Sequence, residues 1–251
     1  AIKLTIHDPS GRRVRRLQIP QGREGAGLHR ITWDMRYDPT WVAPAGQGGG
    51  RGGGGQGTVQ SPWVMPGMYE ARLTVGDTMS TASIEIAGDP LIEIADADRQ
   101  YWHDLQVSLS RILATTRAAT ATARVIDDVL TQTSAAIETG ASIRDLPEDV
   151  AERVDRVTAE VNDVIRALGQ ISGTAGQIYN AVRSSTTMPT DEQIRLTEVA
   201  YERLGLQLDE IERLLGQEMP MISGLLDGLG VPWTMGRPVT LPDAARPPRR
   251  R

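Results

Sequence analysis

The chain has 251 residues, 24% of them charged, with a formal net charge of −5. That length suits one large domain or two ordinary ones, and that balance gives no general pull toward nucleic acid or anionic lipid. Cysteine is absent, which excludes disulfides, thiol nucleophiles and cysteine-held zinc, and no apolar run approaches the roughly 18 residues a membrane helix needs.

Phenylalanine is absent too, so the core must be built from Leu, Ile, Val, Ala and a few Trp and Tyr. The first residues already alternate: Ile2, Leu4 and Ile6 point one way, Lys3 and Thr5 the other, the period of a half-buried strand. A domain seldom starts inside its first strand. The expectation is therefore a mature or excised C-terminal piece of a longer protein, with any signal peptide upstream of Ala1.

His7-Asp8-Pro9-Ser10-Gly11 predicts a turn, and residues 13–19 a second strand with Val14 and Leu17 apolar. After a glycine-bearing loop at 21–27, residues 28–36 predict a third strand with Leu28, Ile31 and Trp33 in the core. The pattern then collapses into a glycine-rich insertion at 46–57. It lacks the Gly-Lys-Ser/Thr and following helix of a phosphate loop, so it reads as a flexible insertion. Residues 69–75 and 79–86 predict two more strands joined by a Gly76-Asp77 hairpin turn, and Asp89-Pro90 closes the β part. Short strands with frequent turns suggest an antiparallel sandwich.

Asp96 is the expected N-cap of a long helix that stops at Gly140. Its apolar stripe alternates 3 and 4 residues through Trp102, Leu105, Leu109, Ile112, Thr116, Ala119, Ala123, Ile126, Leu130, Thr133 and Ile137. About 40 residues make a rod roughly 60 Å long, which needs partner helices to bury that stripe. The second helix starts near Asp145-Leu146-Pro147-Glu148. Its stripe is Val150, Val154, Val157, Val161, Val164, Leu168, Ile171, Ala175, Ile178 and Val182, and Gly169, Gly173 and Gly176 predict a kink or a close helix approach. Thr190-Asp191-Glu192-Gln193 is a capping box for the third helix, with the stripe Ile194, Thr197, Tyr201, Leu204, Leu208, Ile211 and Leu215. A short fourth helix is expected over 221–229. Residues 231–251, with five prolines and a basic end, read as an irregular tail. Short loops between such helices imply antiparallel packing.

The fold class is thus α+β and multi-domain. An N-terminal antiparallel Ig-like or fibronectin-like β-sandwich spans 1–90, an antiparallel three- to four-helix bundle spans 91–230, and an irregular Pro/Arg-rich tail follows.

Few residues suggest chemistry. His7, His29 and His103 fall on a turn, a strand and a helix, with no i, i+4 pair to hold a metal. No Gly-x-Ser-x-Gly elbow is present. The pairs Asp127-Asp128, Glu148-Asp149 and Asp209-Glu210 read as solvated helix faces. Trp33 reads as core, whereas Trp41 and Trp63 flank the insertion and are candidates for a contact surface. No catalytic, metal or cofactor-binding residue is assigned, and no cofactor is expected.

Three segments then resemble a known module. They are Leu4 to Leu17 with Asp8-Pro9-Ser10-Gly11, then Gly27-Leu28-His29-Arg30-Ile31-Thr32-Trp33-Asp34, then Pro66-Gly67-Met68-Tyr69. In that order they resemble the Ig-like module of the flagellar hook-capping protein, which recurs at the C-terminal end of many secreted bacterial proteins. The insertion between the last two segments departs from that pattern. With the Asp89-Pro90 exit and the helical half, most of residues 1–235 resembles the C-terminal region of sortilin-like or BNR-repeat glycosyl-hydrolase-like propeller proteins. The resemblance implies a secreted, periplasmic or cell-surface location and an upstream β-propeller as neighbour. It also implies a non-catalytic docking or assembly role, since the hydrolase label belongs to the propeller. Two other readings stand beside it: a carbohydrate-binding accessory region using Trp41 and Trp63, and a helical assembly module that forms homo-oligomers or grips another protein.

Overall fold

The computed structural model describes residues 2–20, 22, 25, 27–40, 59, 61–141, 148–185 and 187–229. Trp41, the insertion at 46–57, the Asp145–Pro147 start of the second helix and the tail at 231–251 lie outside the described residues. The chain is α+β. Four strands, β1 (Ile2–His7), β2 (Arg13–Leu17), β3 (Gly67–Val75) and β4 (Thr78–Ile86), precede α1 (Asp96–Ala141), α2 (Glu148–Ser184), α3 (Asp191–Arg213) and α4 (Met219–Gly228). By contact density the chain forms two compact units. One gathers Ala1–Arg117 with Ser172–Tyr201, the other Ala118–Ile171 with Glu202–Arg251.

In the first unit the strands form one antiparallel sheet in the order β2-β1-β3-β4. The β1–β2 turn follows from its residues. Asp8 Oδ1 accepts from the Ser10 and Arg12 amides, each at 3.0 Å, and Gly11 takes a φ of 80° that a side chain would resist. Gly76, at a φ of 59°, opens the two-residue β3–β4 turn in the manner of a II′ hairpin. The core gathers at one end of the sheet, where Ile6, Val14, Val64 and Tyr69 are buried and Trp33, Tyr37, Ala71, Ile84 and Ile86 pack against them.

The third expected strand does not form. Residues 28–35 carry no ladder, and only Arg36 makes a bridge, to Trp63. Gly27 at a φ of 137° and Met35 at 54° break the extended run, and Leu28, expected in the core, is fully exposed. The segment crosses the β2 edge instead, where the Asp38 amide donates to the Val14 carbonyl at 2.8 Å. Among the described residues there is one sheet. The layer facing it is irregular chain around residues 33–37 and 61–65.

The stripe of α1 is buried from Leu109 to Ile137, with Trp102 and Leu105 half-buried, and all ten stripe positions of α2 are buried. The α1 cap sits one residue earlier than expected. The Ala95 carbonyl accepts from the Arg99 amide, which places Asp96 inside the first turn, where its charge suits the helix dipole. In the first unit the Trp102 indole donates to the Val182 carbonyl at 3.1 Å, and Gly176 lies beside Leu113. Moving up α1 thus moves down α2, so the two run antiparallel there. Gly169 and Gly173, expected at a close approach, face open space: a methyl group on either would meet nothing within 4 Å.

The capping box forms as expected. The Thr190 hydroxyl accepts from the Gln193 amide at 3.3 Å, and the Gln193 side chain accepts from the Thr190 amide at 3.0 Å. Thr190→Ala should lower the unfolding free energy by about 1 kcal/mol, read by urea denaturation.

The α3 stripe is corrected. Thr197, Ala200, Leu204, Ile211 and Leu214 are buried, whereas Tyr201 is 67% and Leu208 38% exposed and Leu215 is exposed as well. The expected break before the fourth helix is also absent. Helix continues through a π turn at Leu214–Glu218, in which the Met219 amide reaches back to the Leu214 carbonyl. Pro220 cannot donate to the carbonyl four residues before it, and one wide turn takes up that defect.

Candidate functional site

In the first unit the irregular layer brings together side chains that sequence spacing keeps apart. Arg36 is buried and donates through Nη1 to the Ser61 carbonyl at 2.7 Å. Its guanidinium lies 4.6 Å from the Trp63 ring centre, a cation–π contact that holds the indole in place. Burial lowers the Arg36 pKa, and the nearby Arg183 lowers it further. Trp63, singled out in the sequence as a contact residue, is 45% exposed. Trp41, its expected companion, lies outside the described residues. Trp33 sits in the core as expected. It donates to the Arg36 carbonyl at 2.9 Å and meets Tyr69 edge-on, with ring centres 5.7 Å apart. Burial pushes the Tyr69 phenol up to about 12.

A cleft of about 460 Å³ opens beside this layer, lined among others by Arg12, Tyr37, Ser61, His103, Asp104 and Arg111. His103 projects from α1 and its ring tilts against Tyr37 at 5.6 Å. Burial holds its pKa below the usual histidine value, partly offset by Asp104, so the imidazole is neutral at pH 7. Its Nδ1 lies 3.4 Å from Asp104 Oδ1, and its buried Nε2 has no partner among the described residues. Asp104 also accepts from the Gln100 side chain at 2.9 Å. The serine and threonine hydroxyls here are committed: Ser61 donates to the Asp38 carbonyl at 2.5 Å, Ser110 to the Val107 carbonyl at 2.8 Å and Thr40 to the Ser110 carbonyl at 3.3 Å. The lining offers two arginines, Arg12 and Arg111, and the rings of Tyr37 and His103. Among the described residues it pairs no nucleophile with a base.

The other histidines serve turns. His7 Nδ1 is 3.0 Å from the Gly11 carbonyl, and His29 Nε2 is 2.8 Å from that of Gly25. Among the described residues no group of three or more His, Asp or Glu could hold a metal ion. The sequence reading missed Arg36, Tyr37 and the cleft. Their only signal was the partial alternation of Ile31 and Trp33 in a run that does not form a strand.

In the second unit, charge concentrates beside the π turn. Arg213 donates to Glu210 at 2.7 Å, to Glu218 at 3.1 Å and to Glu160, while Arg153 meets Glu218 at 2.9 Å. These pairs run α2 and the α3–α4 helix antiparallel within that unit.

Neither a family model, nor a curated protein, nor a solved structure matches the chain. No helix among the described residues is long and apolar enough to cross a membrane.

Proposed function

We propose that the chain is a non-catalytic docking module: an Ig-like sheet followed by an antiparallel helical bundle, at the C-terminal end of a secreted or cell-envelope propeller protein. One observation carries the docking part. Ile2, Leu4, Leu73 and Val75 share a sheet face with the core residues Ile6 and Ala71, yet Leu73 is 39% and Val75 48% exposed. Along β1 and β3 the face is apolar for its whole length, and it is covered at one end. An uncovered apolar shelf of this kind suits a neighbouring domain. The β-propeller of the same polypeptide is the occupant this reading names.

The test begins with the sequence encoded ahead of Ala1. If it holds propeller repeats, that part expressed separately should bind this chain in calorimetry. Leu73→Glu with Val75→Glu should then weaken binding by about tenfold or more, since two charges would be forced against an apolar surface. Absence of repeats, or unchanged affinity of the double variant, refutes the reading.

The half-exposed Trp63, braced by Arg36, favours a second reading as a glycan contact. Titration with a glycan array settles it: binding that survives Trp63→Ala does not use this surface.

A further inference from the structure

The two edges of the sheet are built differently. At the β2 edge the strand has five residues, its register with β1 slips between Ile6 and His7, and it carries Arg13, Arg15 and Arg16. The crossing chain caps that edge. Asp38 Oδ1 accepts from the Arg16 amide at 2.9 Å, and Arg15 donates to the Tyr37 carbonyl at 2.7 Å. Short length, a bulge, cationic side chains and a cover are the usual protections of an exposed strand.

Among the described residues the β4 edge has none of these. Its nine residues keep unbroken register with β3 from Val75↔Thr78 to Gly67↔Ile86. It holds no proline, no glycine, no lysine and no bulge, and Glu85 is its single charge. The two-residue turn makes Val75↔Thr78 a hydrogen-bonded pair, so Thr78, Ser80, Ala82, Ile84 and Ile86 bond to β3. Met79, Thr81, Ser83 and Glu85 therefore turn their amides and carbonyls outward, and no described strand lies beyond them.

We propose that this edge pairs with the β4 of a second copy, antiparallel about a two-fold axis through Ala82. The side chains fit that register and no other partner is required. Thr81 faces the second copy's Ser83, Met79 faces its Glu85, and no like charges meet. Ser80 and Thr78 receive the second copy's Ile84 and Ile86 on the apolar face, beside the exposed Leu73 and Val75. Symmetry repeats each contact, which is how an isologous interface closes at two copies rather than growing into a fibre. The proposal is independent of the docking reading, which uses the sheet face rather than its edge.

Sedimentation equilibrium on the full chain tests it. The chain should dimerise. Met79→Glu sets two glutamates against two and should raise the dissociation constant by about tenfold, whereas Met79→Lys sets two lysines against them and should lower it about tenfold. Met79 is exposed, so neither change should disturb folding, which circular dichroism checks. Hydrogen exchange at rising concentration should slow the Met79, Thr81, Ser83 and Glu85 amides. A chain still monomeric at roughly 1 mM overturns the proposal. A dimer indifferent to both substitutions overturns it too, because its interface then lies elsewhere.

Discussion

Leu204→Ala should lower the unfolding free energy by about 2–5 kcal/mol, and Leu208→Ala by only a few tenths. The two leucines sit one turn apart on α3, with the same chemistry and the same helix propensity. Only burial separates them: Leu204 is enclosed and Leu208 is more than a third exposed. Truncating Leu204 removes apolar contact and leaves a cavity that a packed helix cannot close, whereas Leu208 already borders water. Urea denaturation of both variants decides the rotation of α3. Equal losses would restore the stripe through Tyr201, Leu208 and Leu215 that spacing alone suggests.

That ambiguity shows where the sequence was readable. On α2, valine and isoleucine recur on one face and polar residues fill the other, so only one rotation buries apolar surface, and every stripe position is indeed inside. On α3 the shared positions Thr197, Leu204 and Ile211 have apolar neighbours on both flanks. Ala200 and Leu214 lie on one side, and the bulkier Tyr201, Leu208 and Leu215 on the other. Hydrophobicity favours the second flank, and packing chose the first, which leads on through the π turn to the buried Ile222 and Leu226. A proline five residues after the last stripe leucine, Leu215, reads as a stop; that Pro220 is absorbed by one wide turn depends on neighbours the local sequence does not show.

The candidate site was less readable for the same reason. β1 and the β3–β4 hairpin are set by alternation and by Gly76, both local. Arg36 owes its burial to Ser61 and Trp63, some 25 residues away across a crossing that no period announces. Residues 28, 31 and 33 are apolar but not strictly alternate, and that irregularity was the available warning that the segment is not a strand. The cleft with His103 and Tyr37 arises only because that crossing chain meets α1 within the first unit.

Arg213→Ala should cost about 1–2 kcal/mol, more than an exposed ion pair and less than a fully buried one. Arg213 is the common partner of Glu160, Glu210 and Glu218, and removing it leaves those carboxylates facing one another with Arg153 on Glu218 and Arg156, at 3.9 Å, beside Glu160. The effect should depend on pH in a definite direction. Hydrogen bonding to Arg213 holds the Glu210 carboxyl below its ordinary value, and the same bonds hold the Arg213 pKa up. A carboxyl depressed in the folded state stabilises fully above its unfolded value, about 4.3, and loses that contribution as pH falls through the lower folded value. The difference between Arg213→Ala and the parent chain should therefore be full near pH 7 and shrink below about pH 4. Arg213→Lys should recover part of it, because one ammonium cannot span three carboxylates as a guanidinium fork does. Urea denaturation at pH 7 and pH 3.5 separates the outcomes. A loss independent of pH would mean that the packed stem of Arg213, rather than its charge, is what steadies the helix around the π turn.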